Sequence, residues 1–280
     1  MREECQSSNL GTDTPDAPKV RRPSWDYPSL WGKGKVGIPD SVQAKLDRSA
    51  VHLQSVQDTI VEYLNSCPSR LACEYNIDTR ALTLLEKPPA PKMTLAALVG
   101  DAIHNLRSSL DLLACELAHR PGRHTCMPVL KTPPTDKQGN PIPVKVSGGV
   151  GAPVLDEITR GQPFQYGENY AIHWLWILNE MWNADKHRLL LTSPAWLNNS
   201  WIAHGNAMGV VPGIAQMWGA TADAAEYTFQ PLDTSVDMEG HFSIQVAFDQ
   251  KTPVPTQGVM ETLGWLDDET RGFVARLTSL

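Results

Sequence analysis

The stretch from about Thr94 to His119 constrains this chain most. It lies between the run Lys87-Pro88-Pro89-Ala90-Pro91-Lys92 and the pair Pro121-Gly122. Proline removes a backbone donor and continues neither a ladder nor a helix interior, so both ends are punctuated. The residues between them have helical periodicity. At about 100° per residue, Ala102, Ile103, Leu106, Leu110, Leu113 and Leu117 share one side of the wheel. Asp101, His104, Arg107, Ser108, Asp111, Cys115 and His119 share the other. A solvated face usually carries Lys and Glu; here His, Arg, Asp and Asn105 gather within two turns.

The rest of the chain supplies partners for that helix. Pro39, with Asp40 or Ser41 as cap, opens an earlier helix to about Asn65, with Val42, Leu46, Leu53, Val56, Ile60 and Leu64 as its stripe. Two β-prone runs around Ile77-Asp78-Thr79 predict a hairpin. A short helix is expected over Val154–Arg160 and a major one from about Asn169 to Arg188. Beyond Pro194 the alternation is β-like, with candidate strands at Trp201–Met208, Tyr227–Pro231 and His241–Phe248. A closing helix from about Gln257 to Leu277 carries Val259, Leu263, Leu266, Phe273 and Leu277. Helices and strands do not alternate as βαβ units, so the expected fold is α+β, a helical bundle with a small antiparallel sheet or hairpins.

Two segments stand apart. Residues 1–37 are rich in Ser, Asp, Pro and Gly and read as a flexible tail, with Trp25, Tyr27 and Trp31 able to clip it to the body or to a partner. Residues 38–280 form the expected single domain. Within it, the Pro/Gly-rich segment 131–153 predicts a long loop, either a flap or a disordered insertion.

Composition narrows the function classes. A net charge of -7 over 280 residues argues against broad adhesion to nucleic acid or anionic membranes, while leaving room for a local basic pocket. The five cysteines have no zinc-finger spacing and fit reduced thiols of a cytoplasmic protein. The first residues contain no signal-peptide core, and no apolar run approaches the roughly 18 residues a membrane span needs, so no membrane is expected among the partners.

The helix expected over 169–188 is the second element that can carry chemistry. Ala171-Ile172-His173-Trp174-Leu175-Trp176-Ile177-Leu178 is apolar around most of the circumference, which predicts a central, nearly surrounded helix. Helical geometry continued to its end puts Asp185 and Arg188 on the apolar side with Trp174, Leu178 and Met181. A buried Asp185 needs a donor or cation close by, which His104, Arg107 or Arg188 can supply. The two helices are therefore expected to share one polar cluster of His104, Arg107, Asp111, Asp185, His187 and Arg188. As a structural network it fixes helix register. As a site it offers a histidine, an orienting carboxylate and cations for an anion such as the phosphate of RNA or a nucleotide. Metal-independent RNA cleavage is within reach of that set, with His as acid or base and Arg stabilising a phosphorane. The competing metal reading uses His104, Asp111 and His187, with His173 and Glu180, but HExxH and similar spacings are absent, and no cofactor motif occurs. A third reading, assembly into a homo-oligomer, rests on the aromatic tail.

Gly100–His119 (GDAIHNLRSSLDLLACELAH) followed by Asn179–Leu190 (NEMWNADKHRLL) resembles a widespread group of bacterial and phage proteins that carry a GDALHNLRSALDHLA-like helix and an NxxDKHR-like segment. The resemblance runs from about Asp40 to the closing helix and names no reaction. The helical part is also distantly similar to the HEPN superfamily, which implies a helical bundle and an RNase or nucleotide-binding role in toxin or phage-defence systems. That family's Arg, four to six residues, then His is missing: Arg48 to His52 and Arg120 to His124 have three residues between them. No catalytic residue of the superfamily carries over by position. The leading expectation is thus a cytoplasmic binding or accessory protein, with a HEPN-like RNase and an assembly protein as alternatives.

Overall fold

A computed structural model describes residues 37–66, 73–76, 81–84, 90–196, 201–204, 207–210, 226–228, 238–241, 244–255 and 257–280, with side chains over 37–66, 90–192, 245–255 and 257–280. The expected tail, with Trp25, Tyr27 and Trp31, lies outside them apart from Gly37. Residues 37–280 form one compact unit.

Helix α1 spans Asp40–Ser66 and α2 spans Met93–Leu117. The expected stripe packs them together. Val42, Leu46, Leu53 and Val56 of α1 and Leu95, Val99, Ile103, Leu106, Leu110 and Leu113 of α2 are all at most 2% exposed. Burying a side chain of this kind contributes roughly 1.5–3 kcal/mol, so this seam is a large favourable contribution set against the ordering entropy of the two helices. Polar rungs fix an antiparallel register. Ser41 Oγ donates to Glu116 (2.8 Å), Ser49 Oγ to the Ala102 carbonyl (3.3 Å), and Lys92 Nζ to Glu62 (3.4 Å). The helix begins at Asp40, with the Pro39 carbonyl accepting its first bonds from Val42 and Gln43, so Asp40 and Ser41 both lie inside the first turn rather than at the cap.

Helix α3, Ala152–Arg160, docks through Ile158 and is tied to the closing helix α5, Val259–Thr278, where Arg276 Nε donates to Glu157 at 2.8 Å. All five apolar residues expected of the closing helix are buried. The helix expected over 169–188 is divided. A 3-10 segment covers Pro163–Ile172, and α4 covers Trp174–Asp185. The division falls at His173, whose backbone is extended and whose Nδ1 accepts from Leu175 N–H at 3.2 Å, so the imidazole caps α4. That use of His173 also takes it out of the metal set.

Helix α4 is not the surrounded one. Trp174, Leu175, Leu178 and Met181 are buried, whereas Trp176, Ile177, Glu180 and Trp182 are only half-buried. The most enclosed helix is α2, which packs on α1, α4 and α5. Apolar residues around a whole circumference record what a helix can bury, and the neighbours available decide how much it does.

Of the small antiparallel sheet or hairpins expected, antiparallel pairing among the described residues occurs as short ladders in three separate groups and no single sheet. The hairpin of β1 (Cys73–Asn76) and β2 (Ala81–Leu84) pairs with β6 (Glu226–Thr228). Strand β4 (Trp201–His204) lies between β5 (Ala207–Val210) and β7 (Met238–His241). Among the described residues strand β3 (Thr192–Trp196) pairs only with β8 (Ile244–Phe248), Pro194 facing Val246. Proline is tolerated in β3 because that strand is an edge. Strand β8 packs on α1 and α5, and its Val246, Ala247 and Phe248 are buried. The candidate strand Trp201–Met208 is two strands, paired so that His204 faces Ala207 across the two positions Gly205 and Asn206.

The 131–153 segment is built onto the body. Asp136 accepts from Gln138 N–H, Asn140 N–H and Asn140 Nδ2, which closes a turn bridged by Thr135 and Pro141. Val144 and Val146 are buried, and His119 and Arg120 N–H donate to the Gly149 and Gly148 carbonyls. The segment is neither a separate flap nor an unstructured insertion, because it satisfies the chain leaving α2.

Candidate functional site

The chain leaves α2, turns at Pro121-Gly122 and comes back along the same helix. Thr125 holds the turn: its Oγ1 accepts from Gly122 N–H and donates to the Ser147 carbonyl, each at 2.9 Å. The returning strand-like segment presents Met127 to Arg107 and Asp111, one helical turn apart. Met127 N–H donates to Asp111 Oδ1 at 3.0 Å, and Arg107 Nη2 donates to the Met127 carbonyl at 2.9 Å. Arg107 Nη1 lies 2.8 Å from Asp111 Oδ1, close enough for an ion pair, but Nε and Nη1 make no geometrically acceptable hydrogen bond among the described residues. The Arg107 side chain is 5% exposed and that of Asp111 28%. Arg107 is thus no part of a solvated stripe. Helix and returning segment together enclose it, a burial that the wheel of α2 alone cannot show.

Burial raises the Asp111 carboxyl above its ordinary range, against the pull of Arg107 and of the Met127 N–H. The ion pair and the burial therefore act in opposite directions on one group. Burial prevails in the net direction, while the Met127 and Arg107 contacts define which atoms the carboxylate touches.

On the α4 side the seam is organised by Trp182, which sequence reasoning did not single out. Its Nε1 donates a long hydrogen bond to His104 Nδ1 (3.4 Å), Lys186 Nζ stands 2.8 Å from its ring centroid, and Arg107 Cζ stands 5.3 Å from it. A ring flanked by cations in this way is attractive through its quadrupole. The indole donation favours the neutral tautomer in which Nδ1 accepts and Nε2, 3.4 Å from Ser108 Oγ, carries the proton. In that tautomer Nε2 does not accept the Ser108 proton, so the contact does not favour a Ser–His nucleophile.

Asp185 reaches α2 one turn earlier, at Gly100. A Cβ built on Gly100 would collide with the Asp185 carboxylate, so glycine in mid-helix makes room for it. Burial raises the Asp185 carboxyl, Asp101 raises it further, and His104 opposes both. His104 and Asp185 thus share one side of the molecule, as the shared cluster requires. His187 and Arg188 do not join it. Helix α4 ends at Asp185, both residues are exposed, and neither side chain has a hydrogen bond or ion pair among the described residues. Of six expected residues, the seam therefore gathers His104, Arg107, Asp111 and Asp185, adds Trp182 and Lys186, and leaves two aside. Among the described residues no group of three His, Cys, Asp or Glu side chains is placed to hold a metal ion.

Gln162 is a second residue that the sequence did not flag. Fully buried, it accepts from Leu130 N–H at 3.0 Å and donates to the Pro128 carbonyl at 3.0 Å, pinning the segment that carries Met127. The signal for Gly100 was present in principle, since a glycine inside a long helical pattern marks close approach. For Trp182 and Gln162 there was none.

No family model, curated protein or solved structure matches this chain. Among the described residues, no helix is long and apolar enough to cross a membrane.

Proposed function

We propose that the protein is a binding or accessory protein of the cytoplasm, and that the α2–α4 seam receives an anionic group such as the phosphate of a nucleotide or of RNA. The observation that supports this is the pairing of cations at one end of the seam. Arg107 and Lys186 stand together beside Asp111, further along α2 from the Asp185 contact at Gly100, and two buried guanidinium nitrogens lack hydrogen-bond partners among the described residues. The exposed His104 Nε2–H and Ser108 hydroxyl add donors nearby. Burial and the neighbouring Arg107 lower the Lys186 ammonium from its ordinary range, against Asp111, and an anion bound between the two cations would relieve their repulsion.

The HEPN-like RNase reading asks for a proton acceptor and a donor around one phosphate. The seam brings one histidine, committed through Nδ1 to Trp182, while His187 and Arg188 face solvent. Binding is the function this arrangement serves without a missing part.

The test uses the purified full chain with ATP and with a short single-stranded RNA at low salt. RNA should stay intact, binding should weaken as salt rises, and Lys186→Ala should reduce affinity several-fold, since one phosphate contact is removed. No binding of either probe refutes the reading. RNA cleavage abolished by His187→Ala replaces it with the enzyme.

A further inference from the structure

The turn that delivers Met127 to Arg107 also delivers a cysteine to a cysteine. Cys115 lies on the same side of α2 as Arg107 and Asp111, and its Sγ donates to the Thr125 carbonyl at 3.5 Å. The next residue in the chain is Cys126. Standard backbone dimensions place the Cα following a carbonyl oxygen about 3 Å from it, so the Cys126 Cα is within about 6 Å of the Cys115 sulfur. This closeness is fixed from both sides, by the Thr125 contacts to Gly122 and Ser147 and by the Arg107 and Asp111 contacts to Met127. Both cysteines are free thiols; Cys115 is half-buried and Cys126 exposed.

We propose that Cys115 and Cys126 are a reversible dithiol–disulfide pair, a redox modification site whose oxidant is a low-molecular-weight disulfide. The bound on their separation brings the two thiols into the neighbourhood a disulfide requires, and because Cys126 is exposed its side of the pair can move to complete the bond. The two thiols have distinct roles. Burial, reinforced by Asp111, raises the Cys115 thiol, which keeps it protonated and slow towards reagents in solution. Exposed Cys126 reacts first. Its thiolate attacks one sulfur of the oxidant, breaks the S–S bond and expels one thiolate, leaving a mixed disulfide on Cys126. Cys115 then loses its proton to solvent and attacks the Cys126 sulfur, which expels the second thiolate. The protein loses two electrons and two protons, and the oxidant leaves as two thiols. The inference stands apart from the anion reading, since it needs only the turn.

The experiment uses the full chain, reduced and then treated with oxidised glutathione, quenched by alkylation and mapped by peptide mass. The wild type should yield a linked pair of peptides containing Cys115 and Cys126, two hydrogens lighter than their sum. Cys115→Ser, whose hydroxyl can still donate to Thr125, should instead accumulate glutathione on Cys126. Cys126→Ser should leave Cys115 largely unmodified. A Cys5→Ser/Cys67→Ser/Cys73→Ser variant should form the same link and show a raised Tm on oxidation, reversed by dithiothreitol. A mixed disulfide that persists on Cys126 in the wild type, or a link from Cys126 to any other cysteine, overturns the proposal.

Discussion

Asp111→Ala isolates what the ion pair at the seam contributes. The substitution removes the acceptor of the Met127 N–H and leaves Arg107, 5% exposed, without its counter-charge. Losing one hydrogen bond of this kind costs about 1 kcal/mol. Stranding a buried charge costs roughly 3–5 kcal/mol in all when one partner of a buried pair is removed. Asp111 is 28% exposed, so water screens part of that loss and the lower end applies, about 3 kcal/mol. For a unit of this size that corresponds to a Tm lower by about 6–12 °C. Urea unfolding, with unchanged m-value, measures it. The companion is Arg107→Met/Asp111→Leu, which removes both charges and fills the space. It should be less destabilised than Asp111→Ala, because no unpaired charge remains. If Asp111→Ala costs under about 1 kcal/mol, or the double variant is destabilised as much as Asp111→Ala, the pair is not buried as described.

Two further outcomes follow from single groups. Burial lowers the pKa of His173 to about 4 from an ordinary 6.5, so the folded protein binds this proton less readily than the unfolded chain. The neutral form is the one that caps α4, and stability should be full above about pH 6.5 and fall as pH drops towards 4, by about 3 kcal/mol from this group. His173→Asn, which can still accept at the cap, should flatten that part of the urea-midpoint profile against pH; an unchanged slope would show that His173 is not its source. Gly100→Ala should gain less than the ~1 kcal/mol that alanine has over glycine in an ordinary helix interior, because the new Cβ displaces the Asp185 carboxylate. Adding Asp185→Ala should release the remainder, and a gain from Gly100→Ala that is the same with and without Asp185 would refute the contact.

What the sequence determined by itself is what depends on near neighbours along the chain. The long helix, its apolar side, the stripes of α1 and α5 and the stops at Pro121-Gly122 all follow from side chains three or four positions apart. The β1–β2 hairpin was legible for the same reason, and the two-strand nature of residues 201–210 was available in the Gly205-Asn206 pair. His173 shows the limit: its neighbours are apolar at helical spacing, yet the imidazole terminates one segment and caps the next. The polar face of α2 could be drawn from a wheel, but whether it met water, a helix or a returning segment could not. Tertiary structure decided that Arg107 is buried, that Met127 answers it with backbone atoms, that Trp182 joins α4 to His104, and that α2 rather than α4 is central. Those contacts join residues up to 78 apart in sequence, and at Met127 the partner is the backbone. Backbone amides are the same at every position, so a side chain that seeks one leaves no mark in the sequence.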